Sequence, residues 1–168
     1  FGDGASAVLV EASDNGFGIQ DTLMRSETAG AMNILFKGGG SVHPASIETV
    51  ENKWHYFWQD GRAVFKSAVT GMQGVSEEMM KRNNVTAEDL KFVMPHQANE
   101  RIIDAIAKRM GVQDKMVSII AKIGNVSTVT IPLCLEAKES EMQKGDKLIL
   151  TAFGSGYTMG AALVEWAI

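Results

Sequence analysis

The chain contains one cysteine, three prolines and 7% aromatic residues. A single thiol excludes a disulfide framework and fits a reducing compartment, so the chain is read as cytoplasmic. No run approaches 18 apolar residues, which argues against a transmembrane helix. Net positive charge is lacking as well. At −4 the chain has no global attraction for nucleic acid or an anionic membrane, and neither is expected as a partner. His43, His55 and His96 show no ligand spacing, and there is no second cysteine, so no metal site is expected. Phe1 follows neither an initiator methionine nor a signal-peptide pattern. The chain opens mid-motif with Phe-Gly-Asp-Gly-Ala, read as the continuation of an N-terminal part lying upstream. What is present is the composition of a soluble globular domain: 168 residues, 45% apolar and 21% charged, enough to bury a core.

Strand and helix patterns alternate along the chain. Ala5–Glu11 is a Val-containing apolar run, expected as a strand, and Gly18–Thr28 is a second, more polar one. Residues 29–50 carry Gly38-Gly39-Gly40 and His43-Pro44 and read as a loop. Over Arg62–Lys81, the apolar residues Phe65, Val69, Met72, Val75 and Met79 recur at helical spacing. Thr86–Asp89 resembles a helix start before a short strand, Phe92–Met94. Glu100–Met110 reads as a helix stopped by Gly111, Val117–Ala121 as a buried strand, and Ser127–Glu141 as a helix with Pro132 in its first turn. Two strands, Lys147–Phe153 and Met159–Trp166, flank a Gly-rich turn. The expected architecture is α/β: a five-stranded mixed sheet, its last strand antiparallel, flanked by helices.

Chemistry concentrates at the ends of the expected strands. Pro95-His96-Gln97-Ala98-Asn99 follows one and Gly124-Asn125 follows another. Ligand sites of open α/β sheets lie beyond the carboxyl ends of the strands. Taken alone, His96 would read as a helix-cap or core histidine; Asn125 in an equivalent position changes the balance. A neutral imidazole and a carboxamide can donate hydrogen bonds to a thioester oxygen as it becomes an enolate. Gly154-Ser155-Gly156 reads as a hairpin turn that also permits close backbone approach. No nucleophile accompanies these groups. Cys134 follows Pro132 on an apolar helix face and reads as a buried structural residue. Ser155 is not a nucleophile elbow, because Phe153 and Tyr157 stand where the outer glycines would be. The aromatic run Trp54–Trp58 reads as packing or interface. Arg101, Lys108, Arg109, Lys115 and Lys122 read either as a solvated face or as a dock for an acidic partner.

Six stretches in order carry a resemblance: Phe1–Ala5, Gly61–Lys66, His96–Ile102, Gly124–Ser127, Ile131–Leu133 and Phe153–Gly160. The chain resembles the C-terminal half of a β-ketoacyl-acyl-carrier-protein synthase III, of the thiolase superfamily. Residues 29–60 match poorly and look longer than is usual in that family. On this resemblance, residues 1–12 are the last strand of an N-terminal half and residues 13–168 the C-terminal condensing domain.

The resemblance implies a decarboxylative Claisen condensation, in which an acyl group passes from coenzyme A to a cysteine and malonyl-carrier protein then decarboxylates and attacks it. It implies that His96 and Asn125 hydrogen-bond the malonyl thioester oxygen and that the Ser155 N–H serves a second oxyanion hole. Gly61, Phe65, Asn99 and Ile102 match positions lining the pantetheine tunnel. Arg101 would meet acyl carrier protein. No cofactor is implied beyond the coenzyme A or phosphopantetheine of the substrates, and a homodimer is implied at full length. The implied nucleophile lies in the N-terminal half, so the 168 residues alone are expected to be inactive. The implied setting is the initiation of fatty acid biosynthesis. Alternatives are a carrier-protein or coenzyme A binding module without chemistry and a polyketide-type condensing-enzyme subunit. With a second half implied, the helices Phe65–Met79 and Ser127–Leu135 are expected to leave an apolar face bare.

Overall fold

The computed structural model describes residues 1–168. Strands β1 (Gly18–Ser26), β4 (Leu90–Pro95), β5 (Lys147–Gly154) and β6 (Thr158–Glu165) form one sheet in the order β1-β6-β5-β4. β4 and β5 run parallel; β6 is antiparallel to both β5 and β1. A separate hairpin pairs β2 (Ile34–Phe36) with β3 (Phe57–Gln59). The helices are α1 (Ile47–Glu51), α2 (Gly61–Arg82), α3 (Glu100–Met110), α4 (Ile120–Ile123) and α5 (Thr130–Lys138). None is long and apolar enough to cross a membrane.

Two local devices set the long helices. Asp60 caps α2 by accepting from the Arg62 and Ala63 N–H groups at 3.1 and 3.0 Å. Asn99 caps α3 through the Arg101 N–H at 2.9 Å, and Gly111 ends it in the left-handed region at φ 69°. The α3 limits are those expected from sequence. Along α2 the residues Val69, Met72, Val75 and Met79 are buried, so its apolar stripe is covered rather than bare.

Strand alternation distributes the core over both sheet faces. Val93 and Ile149 point to the side of α2, where they join Val75, Met79, Met159, Ala161 and Leu163. Phe92, Met94 and Leu148 point to the other side and meet Cys134 of α5. Ile102 and Ile106 of α3 pack with Ala68, Val69 and Met72 of α2.

Five sequence expectations are corrected. Val117–Ala121 is not a strand, so the sheet has four strands and not five. Only one parallel bridge, Val93 to Met116, extends it. The side chain of Gln97 takes the Val117 carbonyl and the Ile119 N–H that a strand ladder would have used. Ala5–Glu11 forms no strand: it pairs with neither edge of the sheet, β1 or β4, and Leu9 is 90% exposed. Thr86–Asp89 does not start a helix. Asp89 accepts from the Thr86 N–H and hydroxyl, both at 2.7 Å, and closes a turn directly into β4. Residues 29–50 are not simply loop: they include a 3-10 helix at Thr28–Asn33, β2 and α1. The expected helix Ser127–Glu141 is divided into a 3-10 turn, α5 and a second 3-10 turn, with Pro132 in the first turn of α5.

The exposed apolar surface also lies elsewhere than expected. Phe1, Leu9 and Val10 at one end, Ile19 and Met24 on β1, and Met32, Phe36, Val42, Ile47 and Tyr56 in the hairpin region are among the large exposed groups. Trp54 packs edge-on against His43 at 5.0 Å, and Phe57 meets both Phe1 and Phe36 at 5.6 Å. The aromatic run therefore packs within its own segment and against Phe1.

Candidate active site

β4 and β5 deliver their carboxyl ends to one opening. His96 follows Pro95, and its N–H donates to the Thr151 carbonyl at 2.7 Å, extending the ladder one step. This fixes the backbone from which the imidazole projects. The ring is half-buried in the wall of a cavity of about 500 Å3 shared with Ser127, Ile131, Phe153 and Gly154. Burial lowers the His96 pKa below its ordinary 6.5, and the adjacent Ser127 backbone opposes this by favouring the protonated form. Desolvation dominates, so at pH 7 the imidazole is neutral.

Asn125 sits after Gly124, whose φ of 68° turns the chain sharply at the end of α4. The Asn125 Oδ1 accepts from the Ser127 N–H at 3.0 Å, and its backbone carbonyl accepts from the Gly2 N–H at 2.9 Å. With Oδ1 so engaged, the carboxamide nitrogen is the end available to a ligand. Asn125 does not itself line the 500 Å3 cavity. It connects to that cavity through Ser127, which holds the Asn125 oxygen on one side and borders His96 on the other. Gly2 packs against the Ile123 carbonyl so closely that a Cβ would overlap it. The opening glycine motif thus lies directly over the Asn125 turn.

The Gly-rich turn joins β5 to β6. Gly154 lines the cavity with His96, whereas the Ser155 hydroxyl donates away from it, to the Ile34 carbonyl at 3.1 Å. The remaining residues singled out from sequence form a second group at the starts of α2 and α3. Gly61 is the exposed first residue of α2; Phe65, one turn on, packs beside the buried Ile102. Asn99 is spent on capping α3, and Arg101 is exposed. None of these five lines the cavity. The link between the groups is Phe153, which lines the cavity and also packs against the α2–α3 cluster.

Two contributors were missed in the sequence. Phe153 had a signal, an aromatic residue immediately before a glycine turn. Gln97 had a weaker one, a second carboxamide beside His96, and it is fully buried. Within the basic cluster, Lys115 is not free, since its Nζ donates to the Ala87 and Glu88 carbonyls at 2.6 and 2.9 Å. Cys134 is buried as expected, and burial pushes its thiol up to about 12, so it carries no thiolate at neutral pH.

Known proteins share this fold. Residues 80–166 match the family described as 3-oxoacyl-[acyl-carrier-protein (ACP)] synthase III C terminal. A beta-ketoacyl-[acyl-carrier-protein] synthase III from Porphyromonas gingivalis is 48% identical over 168 residues, covering 99% of this chain and 50% of that protein. Its counterpart from Chlorobium chlorochromatii is 52% identical, covering 99% and 52%. The crystal structure of a synthase III from Thermus thermophilus superposes with a TM-score of 0.80 at 30% identity, covering 94% of this chain and 49% of that one. That of a 3-oxoacyl-[acyl-carrier-protein] synthase III from Aquifex aeolicus gives 0.77 at 32%, covering 92% and 46%. The chain spans about half the length of the curated relatives it matches. The cavity at the ends of β4 and β5, the sheet behind it and these matches lead to one assignment: the chain belongs to the 3-oxoacyl-[acyl-carrier-protein] synthase III family and corresponds to its C-terminal part.

Proposed function

We propose that, in a protein of its relatives' length, this chain supplies the decarboxylating half of a condensing enzyme that joins an acyl group from acyl-coenzyme A to malonyl-carrier protein. The observation that carries this reading is His96, kept neutral by burial in a cavity shared with the Gly154 turn and tied through Ser127 to the Asn125 carboxamide. Loss of carbon dioxide from a malonyl thioester leaves negative charge on the thioester oxygen. Two neutral, preorganised donors stabilise that charge more than they stabilise the ground-state carbonyl, which is the condition for catalysis. A permanent cation would also bind the malonyl carboxylate and oppose its loss.

The Ser155 N–H is proposed for the oxyanion of the condensation step; its hydroxyl, held by Ile34, takes no part. Cys134 cannot be the acyl acceptor, because it is buried and protonated. The acceptor is therefore proposed to lie outside these residues, with residues 1–12 as the segment that joins its half to the domain 13–168. Gly61, Phe65, Asn99 and Ile102 are proposed to border the pantetheine arm, Phe65 and Ile102 by shaping the wall. The setting proposed is fatty acid initiation in the cytoplasm by a homodimer.

Incubation of a protein of the relatives' length with acetyl-coenzyme A and malonyl-carrier protein should release carbon dioxide and yield acetoacetyl-carrier protein; the 168-residue chain alone should do neither. A product retaining all malonyl carbons would refute the decarboxylative reading.

Arg101 stands exposed at the start of α3, with exposed Lys108 and Arg109 farther along the same helix. It is proposed to steer the acidic carrier protein. Arg101→Glu should raise the KM for malonyl-carrier protein several-fold and flatten its salt dependence, with the KM for acetyl-coenzyme A nearly unchanged. Equal rises for both substrates would indicate a folding defect instead.

A further inference from the structure

Gln97 stands next to His96 and is wholly buried, at 0% exposure. Its Nε2 donates to the Val117 carbonyl at 2.8 Å and to Cys134 Sγ at 3.2 Å, and its Oε1 accepts from the Ile119 N–H at 2.8 Å. Val117 and Ile119 precede the Gly124-Asn125 turn, whereas Cys134 lies beyond it on α5. One carboxamide thus grips the chain on both sides of the loop that carries Asn125, from a backbone position adjacent to His96. Little slack intervenes. Ile119 is the residue before the single-turn α4, which is closed by the Gly124 N–H on the Ile120 carbonyl at 2.8 Å. On the far side, the Thr130 hydroxyl donates to the Ser127 carbonyl at 2.8 Å. An apolar side chain of equal volume would fill the space but leave the Val117 carbonyl and Ile119 N–H without partners in the interior.

We infer that Gln97 is a positioning residue that holds the Asn125 loop in register with His96. It contacts neither the cavity nor a reacting atom; it acts through Asn125. The inference rests on the role proposed above for Asn125.

The test uses a protein of the relatives' length with Gln97→Leu, Gln97→Glu, Asn125→Ala and the two double variants. Gln97→Glu keeps the acceptor for Ile119 and serves if Gln97→Leu does not fold. Misplacement of a reacting group by about 1 Å costs on the order of 100-fold. Malonyl decarboxylation should therefore fall by up to that factor in Gln97→Leu and less in Gln97→Glu, with acyl loading within about twofold of wild type. In the Asn125→Ala background neither Gln97 change should slow decarboxylation further. The Asn125 side-chain amide resonance should shift in both single variants. Additive losses, equal losses in loading and decarboxylation, or an unmoved Asn125 resonance would overturn the inference. If Asn125→Ala itself decarboxylated at the wild-type rate, the role of Asn125 would fall instead, and the resonance would still decide whether Gln97 positions the loop.

Discussion

His96→Ala or Asn125→Ala, made in a protein of the relatives' length, is expected to slow malonyl decarboxylation by about 3 kcal/mol, on the order of 100-fold, while acyl transfer from coenzyme A survives. The selectivity follows from timing: both side chains are proposed to meet an oxygen that becomes negative only when carbon dioxide leaves. Steady-state condensation and single-turnover acyl loading, measured on the same variants, separate the two steps. Wild-type decarboxylation in either variant would remove that residue from the proposed mechanism.

The His96 ring adds a pH dependence whose sign can be worked out. Its folded pKa lies below the ordinary 6.5 because burial disfavours the imidazolium. As pH falls through 6.5, the unfolded chain binds a proton that the folded chain does not. Stability is therefore fully present above 6.5 and is lost as pH drops toward the folded pKa. Decarboxylation should keep its rate through 6.5 and decline only below it, where the ring itself protonates. Denaturant unfolding between pH 8 and pH 5 should show a smaller acid-side loss for His96→Ala than for wild type; superimposable profiles would mean that burial does not act on this ring.

Gly30→Ala is the substitution expected to destabilise the fold most for the least added volume. Gly30 lies against Tyr157, and a Cβ there would overlap ring atoms Cε2, Cδ2 and Cζ. The ring has little room to retreat. Tyr157 is 1% exposed, its centroid lies 4.8 Å from Phe153, and its backbone exchanges two hydrogen bonds with Glu27 at 2.6 and 2.8 Å. Overpacking of this kind costs about 1–3 kcal/mol, or several degrees in Tm for a domain of this size. Because the ring adjoins the Gly154–Gly156 turn, the displaced turn should also weaken condensation. Tyr157→Phe is the control. Its hydroxyl is buried without a partner, so removing the oxygen should leave Tm unchanged or raise it by up to about 1 kcal/mol equivalent. A Gly30→Ala protein melting with wild type would show that the Tyr157 packing is looser than described.

Periodicity served best where local chemistry and packing agree. The limits of α3 were legible because Asn99, Gly111 and the Ile102–Ile106 spacing are all local signals for one helix. The Thr86–Asp89 turn was misread because a capping pair looks the same whether or not a helix follows it. The Val117–Ala121 expectation failed for a different reason. An apolar run specifies burial, but strand pairing needs free backbone partners, and here the partner came from the side chain of Gln97, 20 residues away in sequence. No local pattern records such a bond.

The site divides in the same way. His96, the strand end beside it, Asn125 and their order were legible in the sequence, because residue type and flanking glycine or proline are local properties; the strand expected before Asn125 is instead the single turn of α4. Three things were decided only by the tertiary structure. His96 is neutral because the sheet and Ile131 close around it, which depends on burial and not on neighbours in sequence. Asn125 is anchored under Gly2 from the opposite end of the chain. Residues 29–60, unreadable as a pattern, place Gly30 on Tyr157 and Ile34 on Ser155. Each of these is a long-range contact, and its free energy depends on which distant groups exclude water from it, a quantity that exists only once the chain has folded.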